Sequence, residues 1–285
     1  GLWNINDATS LNFSYQYYDA HANLAGALSA KDYHQNRRQS TRPFDDYDGH
    51  TKRYSAVYNQ QLGGLGFIDS AEFNWMFFAH NSDRDFHLGM SQVPGQNFNP
   101  ALPADLVQNS PRHFKTWGTE PRFSFDVNGD KVNQHWIVGG RFVKEKIDYQ
   151  VRQRALTTDL TSVTRDWYFD DKAWAGYVSN AIKLFDDKFT ITPGMRYEHI
   201  GEKYSDRKSD FRANAKDGQW LPGLTLGYQL TDEWFLYADT QKSVRPAQVT
   251  QVVKGGDVSS ELAWNYEGGV RYMPTKNVSL QTGLY

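Results

Sequence analysis

The feature that most constrains this chain is a two-residue hydrophobic period, interrupted by connections that are short and long in strict alternation. Leu11, Phe13, Tyr15 and Tyr17 alternate with Asn12, Ser14 and Gln16, and Ala71, Phe73, Trp75 and Phe77 with Glu72, Asn74 and Met76. Trp220, Pro222, Leu224, Leu226 and Tyr228 repeat the pattern, as do Trp264, Tyr266, Gly268, Val270 and Tyr272. Successive side chains of a strand point to opposite faces, so each segment has one mainly apolar face and one mainly polar or small face. The spacing predicts about eleven strands, at 10–18, 51–60, 67–80, 119–127, 134–150, 173–185, 189–200, 219–230, 234–243, 263–273 and 278–285. Most run roughly 9–13 residues, close to what a strand tilted by ~45° needs to cross a bilayer. Strands of soluble proteins average about 5–6.

The connections narrow the class further. Five are short: Gln61–Gly66, Asn128–Asn133, Asp186–Lys188, Thr231–Glu233 and Pro274–Asn277. The five between them, 19–50, 81–118, 151–172, 201–218 and 244–262, are long. Loops beyond ~12–15 residues are uncommon in compact soluble domains, whereas outer-membrane barrels join short periplasmic turns to long extracellular loops. Asn128-Gly129 reads as a hairpin dipeptide because both residues tolerate positive φ. The expected fold is therefore all-β, an antiparallel transmembrane β-barrel. Trp220, Trp234 and Trp264 stand beside turns or loops, where aromatic girdles meet the membrane interface.

Composition excludes several alternatives. There is no Cys, which removes disulfide scaffolds, thiolate metal sites and thiol catalysis. The net charge of −2 gives no footprint for nucleic acid. Mean hydropathy is −0.71 and no apolar run approaches the ~18 residues of a membrane-spanning helix, but barrel strands hide their apolar residues at alternate positions. No G-x-S-x-G, H-E-x-x-H or P-loop is present, so no enzyme is expected. Asp46-Tyr47-Asp48-Gly49 has the opening of a calcium loop, yet Val57 stands where that loop needs its bidentate Glu; no resident metal is expected. The eight His show no metal-ligand spacing.

Eleven strands is an odd number, and an open edge inside lipid would leave backbone groups unsatisfied. Residues 1–285 are thus expected to be part of one barrel domain, about 11 of 22 strands, with the true start upstream of Gly1 and further strands after Tyr285.

Residues 15–49, YQYYDAHANLAGALSAKDYHQNRRQSTRPFDDYDG, with SPRHF and TEPRFS across 110–124, resemble the TonB-dependent ferric dicitrate receptors. ITPGMRYEHI, LPGLTLGYQLTDEWFLYADT and GGDVSSELAWNYEGGVRY resemble TonB-dependent receptors more broadly. The resemblance implies a 22-stranded barrel with an N-terminal plug, outer-membrane location in a Gram-negative bacterium, and active import of a ferric chelate, most readily ferric dicitrate. The implied partners are ferric citrate or a related siderophore, outer-membrane lipid, and TonB through an N-terminal part absent here. Iron enters as cargo and no cofactor is implied. Arg112 in SPRHF, Arg165 in TRDW and, with a one-residue shift, Arg84 in SDRDF match the family's barrel ligands. Chemistry agrees, because the planar guanidinium pairs bidentately with the carboxylates of such an anion. Taken singly, a loop arginine is most often solvated or paired. Arg42 is expected to order its loop, and Arg196 and Glu198 to pair on the lumen face. The alternative readings are a receptor for another siderophore or cargo, an outer-membrane enzyme or adhesin barrel, and a soluble carbohydrate-binding β-protein.

Overall fold

The computed structural model of the protein describes residues 1–91, 103–247, 251 and 259–285. They form one antiparallel sheet of thirteen strands: β1 (Leu2–Asn6), β2 (Thr9–Asn23), β3 (Asp46–Leu62), β4 (Ser70–Met90), β5 (Leu106–Asn109), β6 (Arg112–Asn128), β7 (Val132–Ala155), β8 (Thr161–Leu184), β9 (Phe189–Asp206), β10 (Arg212–Gln229), β11 (Trp234–Arg245), β12 (Glu261–Thr275) and β13 (Val278–Leu284). Sequential strands pair throughout, except that β4 and β7 are bridged by β6 over most of their length and by the four-residue β5 at the far end. β1 pairs only with β2 and β13 only with β12.

Two strands more than the expected eleven are present, because β1 and β5 are too short for a periodicity to register. The larger correction concerns the loops. The stretches 151–172 and 201–218 are mostly strand, and the connections shrink to 156–160 and 207–211. β7 and β8 each reach 24 residues. Their backbone ladder runs on past the apolar band into segments such as Arg152–Arg154 and Thr161–Ser162, where both faces meet water and no hydrophobic period survives. The stretches 19–50 and 81–118 shrink for the same reason, to 24–45 and to 91–111 with β5 inside it. The stretch 244–262 shortens to 246–260, most of which lies outside the described residues. The connections expected to be short stay at one end of the sheet and those expected to be long at the other, although 156–160 and 207–211 are shorter than 63–69.

The turn chemistry also differs from the expectation. Neither Asn128 nor Gly129 has positive φ; the β6–β7 turn closes through Gly129 N–H donating to Val132 C=O at 3.0 Å. The left-handed turn lies between β8 and β9, where Phe185, Asp186 and Asp187 have φ of 56°, 56° and 64°. Asp tolerates this conformation better than most residues.

Register sorts the side chains onto two faces. Tyr58, Trp75, Pro121, Gly140, Gly176, Tyr197 and Trp220 follow one another across β3 to β10 on one face. This face holds Phe73, Trp75, Phe77, Leu224, Leu226 and Tyr228, and its large apolar groups stand exposed: Trp174 by 50% and Trp220 by 62%. The opposite face holds Glu72, Asn74, Thr225 and Gln229 and is crowded and hydrogen-bonded. Asn74 donates to Asn59 at 2.7 Å and Tyr177 to Glu120 at 2.9 Å, while Arg196 pairs with Glu198 at 2.5 Å. Exposed apolar groups on one face and satisfied charges on the other are what lipid outside and an aqueous lumen inside require.

Candidate functional site

All three arginines singled out in the sequence fall on the inner face, at the ends of the strands remote from the short turns. Arg84 on β4 and Arg112 on β6 are direct cross-strand partners, and Arg112 in turn faces Tyr149 on β7. Tyr149 faces Trp167 on β8, and Arg165 stands one same-face step beyond Trp167, opposite Val151. Arg112 and Arg165 are therefore two strands apart, ~10 Å across the sheet.

Aromatic rings hold these guanidinium groups. Arg84 lies over Phe114 (4.4 Å to the centroid), Arg112 over Tyr149 (4.2 Å) and Arg165 over Trp167 (5.0 Å). Tyr149 meets Trp167 edge-on at 5.5 Å, and Trp167 meets Tyr204 at 5.7 Å. Beneath them Ile147, Phe169 and Tyr204 form a buried cluster against which Phe114, Tyr149 and Trp167 pack. The result is an apolar platform on the lumen wall with three cations on its upper edge.

The electrostatics of this edge are unbalanced. Among the described residues none of the three arginines has an ion pair, and the Arg112 Nε is buried without a hydrogen-bond partner. Like charges placed directly across a strand pair repel, and a buried donor without an acceptor carries its full desolvation cost. Arg207 offers the contrast: it reaches Asp148 at 2.8 Å and Asp166 at 3.3 Å. An anion bearing several carboxylate oxygens would satisfy what the protein leaves open, because the guanidinium fork matches that geometry.

Directly below the platform, Glu145, Asp171 and Glu202 are lateral neighbours on β7, β8 and β9. They lie past Trp174, on the extracellular side of the apolar band. Burial, with Glu202 beside it, pushes the Asp171 carboxyl up to about 7; burial also raises Glu202. Thr116 donates to Glu145 at 2.7 Å.

The 24–45 connection is tied to the sheet as expected of Arg42. Its Nε reaches Asp45 at 2.9 Å and its Nη2 donates to the Gly89 carbonyl at 2.5 Å, while Asp45 accepts from Gly89 N–H at 2.7 Å. The same connection carries one helical turn, α1 (Ala30–Gln35), capped by Ser29. On the outer face, His21, Asp46 and Asp48 bring ligand-type atoms within 4.8 Å of one another, a juxtaposition that no sequence spacing revealed. Here the carboxylates are engaged by imidazoles: His21 Nδ1 is 2.7 Å from Asp48, and His87 Nδ1 bonds Asp46. The Asp48 hydrogen bond and charge hold the His21 imidazolium above its ordinary range.

Sequence reasoning missed the aromatic partners Phe114, Tyr149 and Trp167. Two carried a visible signal, an aromatic two residues after an arginine, and thus on its face, at Arg112–Phe114 and Arg165–Trp167. Tyr149 is set by cross-strand register and carried none.

Comparison with known proteins places the chain. The family described as "TonB dependent receptor-like, beta-barrel" matches residues 2–285. The crystal structure of the ferric citrate transporter FecA in its unliganded form superposes with a TM-score of 0.83 at 29% identity, covering 95% of this chain and 39% of that one. The ferric yersiniabactin uptake receptor FyuA of Yersinia pestis superposes with a TM-score of 0.65 at 19% identity, a likeness of fold, over 97% of this chain and 42% of that one. The pesticin receptor of Yersinia pestis is 29% identical over 114 residues, 35% of this chain and 16% of that protein. The chain thus spans about two fifths of the solved receptors it matches. It belongs to the TonB-dependent receptors and is built as their β-barrel, a fold of the outer membrane of Gram-negative bacteria.

Proposed function

We propose that this protein is the wall of a receptor that imports a ferric chelate, and that the cargo is ferric dicitrate. In this reading Arg112 and Arg165, with Arg84 beside Arg112, project into the extracellular vestibule and contact the carboxylates of the anion. One observation carries it: Arg84 and Arg112 stand on facing strand positions, without an ion pair among the described residues, over an aromatic platform that Arg165 shares. The likeness to the ferric citrate transporter over 95% of the chain supports the same cargo. Further strands would close the barrel against β1 and β13. A plug within it and an energy-coupling segment for TonB would complete the machine.

A second reading is another ferric siderophore, favoured by the breadth of the Phe114–Tyr149–Trp167 platform and by the likeness to the pesticin receptor. The two separate in an uptake assay. Cells expressing the intact receptor, with and without functional TonB, are given radiolabelled iron as citrate or as an uncharged siderophore. TonB-dependent uptake of the citrate complex is expected. Uptake of only the uncharged siderophore would replace the cargo, and uptake of neither would remove the import reading.

A further inference from the structure

The far ends of β2, β3 and β4 bring together, on the outer face, a block of side chains that the arginine site does not use. Two adjacent rows of the register hold it: His21, Asp48 and Asp85 in one, Asn23, Asp46 and His87 in the next. Positions two apart on a strand share a face, so all six point outward, and none is Lys or Arg. Tyr17 is the last aromatic residue on this face of β2. His21 stands two same-face steps, ~13 Å, beyond it, in water rather than in hydrocarbon. The contacts inside the block are those of a ligand shell. His21 Nδ1 lies 2.7 Å from Asp48, and His87 Nδ1 bonds Asp46 and lies 3.8 Å from the other Asp48 oxygen. Ligand-type atoms of His21, Asp46 and Asp48 all fall within 4.8 Å of one another. Tetrahedral zinc, with bonds of ~2.0–2.2 Å to imidazole and carboxylate, sets its ligand atoms ~3.3 Å apart, so small rotations of these side chains admit the ion. The remote nitrogen of His87, Nε2, is 3.4 Å from Asp85; a carboxylate at that nitrogen fixes the tautomer and orientation of a ligating histidine.

Ion pairing alone leaves the block unbalanced. Three carboxylates meet two imidazoles, and Asp48 and Asp85 are direct cross-strand partners, where like charges repel. The next row toward the membrane, Asp19, His50, Asp83 and His113, adds two acids and two imidazoles and again no Lys or Arg. Four of the eight histidines of the chain thus stand in three adjacent rows, a density that unrelated surface pairs, each contributing little, do not account for. A divalent cation between Asp46 and Asp48 would neutralise what the imidazoles leave open. Mixed imidazole and carboxylate ligands suit zinc and its first-row neighbours, whereas calcium and magnesium take oxygen.

We propose that His21, Asp46, Asp48 and His87 form a four-coordinate site for a divalent transition cation of the zinc type, with Asp85 orienting His87. The site is independent of the cargo. β2 leads into the 24–45 connection and β3 returns from it, so the ion fastens the base of that connection and ties it to β4. The intact receptor, purified and stripped of metal, is titrated with zinc against a chelating indicator, and with calcium in a parallel series. Wild type is expected to bind one zinc that His21→Ala/His87→Ala binds more than about a hundredfold more weakly, beyond what the loss of an orienting partner alone costs. The control His135→Ala/His199→Ala, remote from the block, should match wild type. No such zinc in wild type, equal affinity in wild type and His21→Ala/His87→Ala, an equal loss in the control, or calcium bound as tightly as zinc would each overturn the proposal. Should the His21/His87 variant fail to fold, X-ray absorption at the zinc edge of wild type with one equivalent of zinc still decides it: a shell with two imidazoles is expected, and one with fewer overturns the site.

Discussion

Arg84 and Arg112 hold the tension of this molecule. Two cations on facing strand positions, with one buried and unpartnered Nε, are a poor arrangement for an empty wall and a good one for a wall that receives an anion. Arg84→Gln is therefore expected to leave the ligand-free protein as stable as wild type or more stable, by up to ~1 kcal/mol, while weakening chelate binding. Paired urea titrations with and without ferric citrate check this; a destabilised ligand-free variant would mean that Arg84 supports the wall instead. Asp171 makes a second residue-scale prediction. Its folded pKa of about 7 lies above the ordinary 3.8, so the folded state holds a proton that the unfolded chain has released. That contribution is complete below about 4 and is lost as pH rises toward 7. Asp171→Asn should exceed wild type in unfolding free energy from urea titration at pH 8, by at most about 4 kcal/mol, and the gap should close near pH 4. A gap independent of pH would show that the carboxyl is ordinary.

At the scale of the strand, the two-faced pattern makes a sharp distinction between adjacent positions. Leu224 faces lipid and Thr225 the lumen, where it donates to Asp239 at 2.7 Å. Leu224→Arg should cost ~2–4 kcal/mol near the midplane, and Thr225→Arg much less, as read from urea midpoints in detergent. Equal costs would contradict the assignment of faces. Strand cores were legible in the sequence because alternation is forced wherever one face meets hydrocarbon. Strand ends were not: Arg152, Gln153 and Arg154 pair with Val163, Ser162 and Thr161 through backbone alone, and a ladder in water imposes no side-chain period. Amide hydrogen exchange should show slow exchange along the paired stretch, at 150–154 and 162–166, and fast exchange at 157–160. Uniformly fast exchange from 151 to 172 would restore the long loop that the hydropathy pattern suggests.

The whole molecule is a wall whose outer side answers to lipid and whose inner side gathers cations above acids. Its class was legible from long two-faced strands and from the long connections that survive at one end, 24–45, 91–111 and 246–260, while 156–160 and 207–211 are as tight as the turns at the other end. The candidate site was legible only as arginines in recognisable contexts. Their convergence depends on register across β4, β6, β7 and β8, which brings Arg84, Arg112, Tyr149 and Trp167 into one row although they are spread over 84 to 167 in the chain. The aromatic support came from the same register. The most direct test of the account is therefore equilibrium binding of ferric citrate to the intact receptor, for wild type, Arg112→Ala, Arg165→Ala and the ion-paired Arg207→Ala. Each of the first two substitutions should weaken binding about ten- to hundredfold, the loss of a charged donor worth ~1.5–3 kcal/mol, with Arg207→Ala unchanged. Equal affinities across all four proteins would contradict the site.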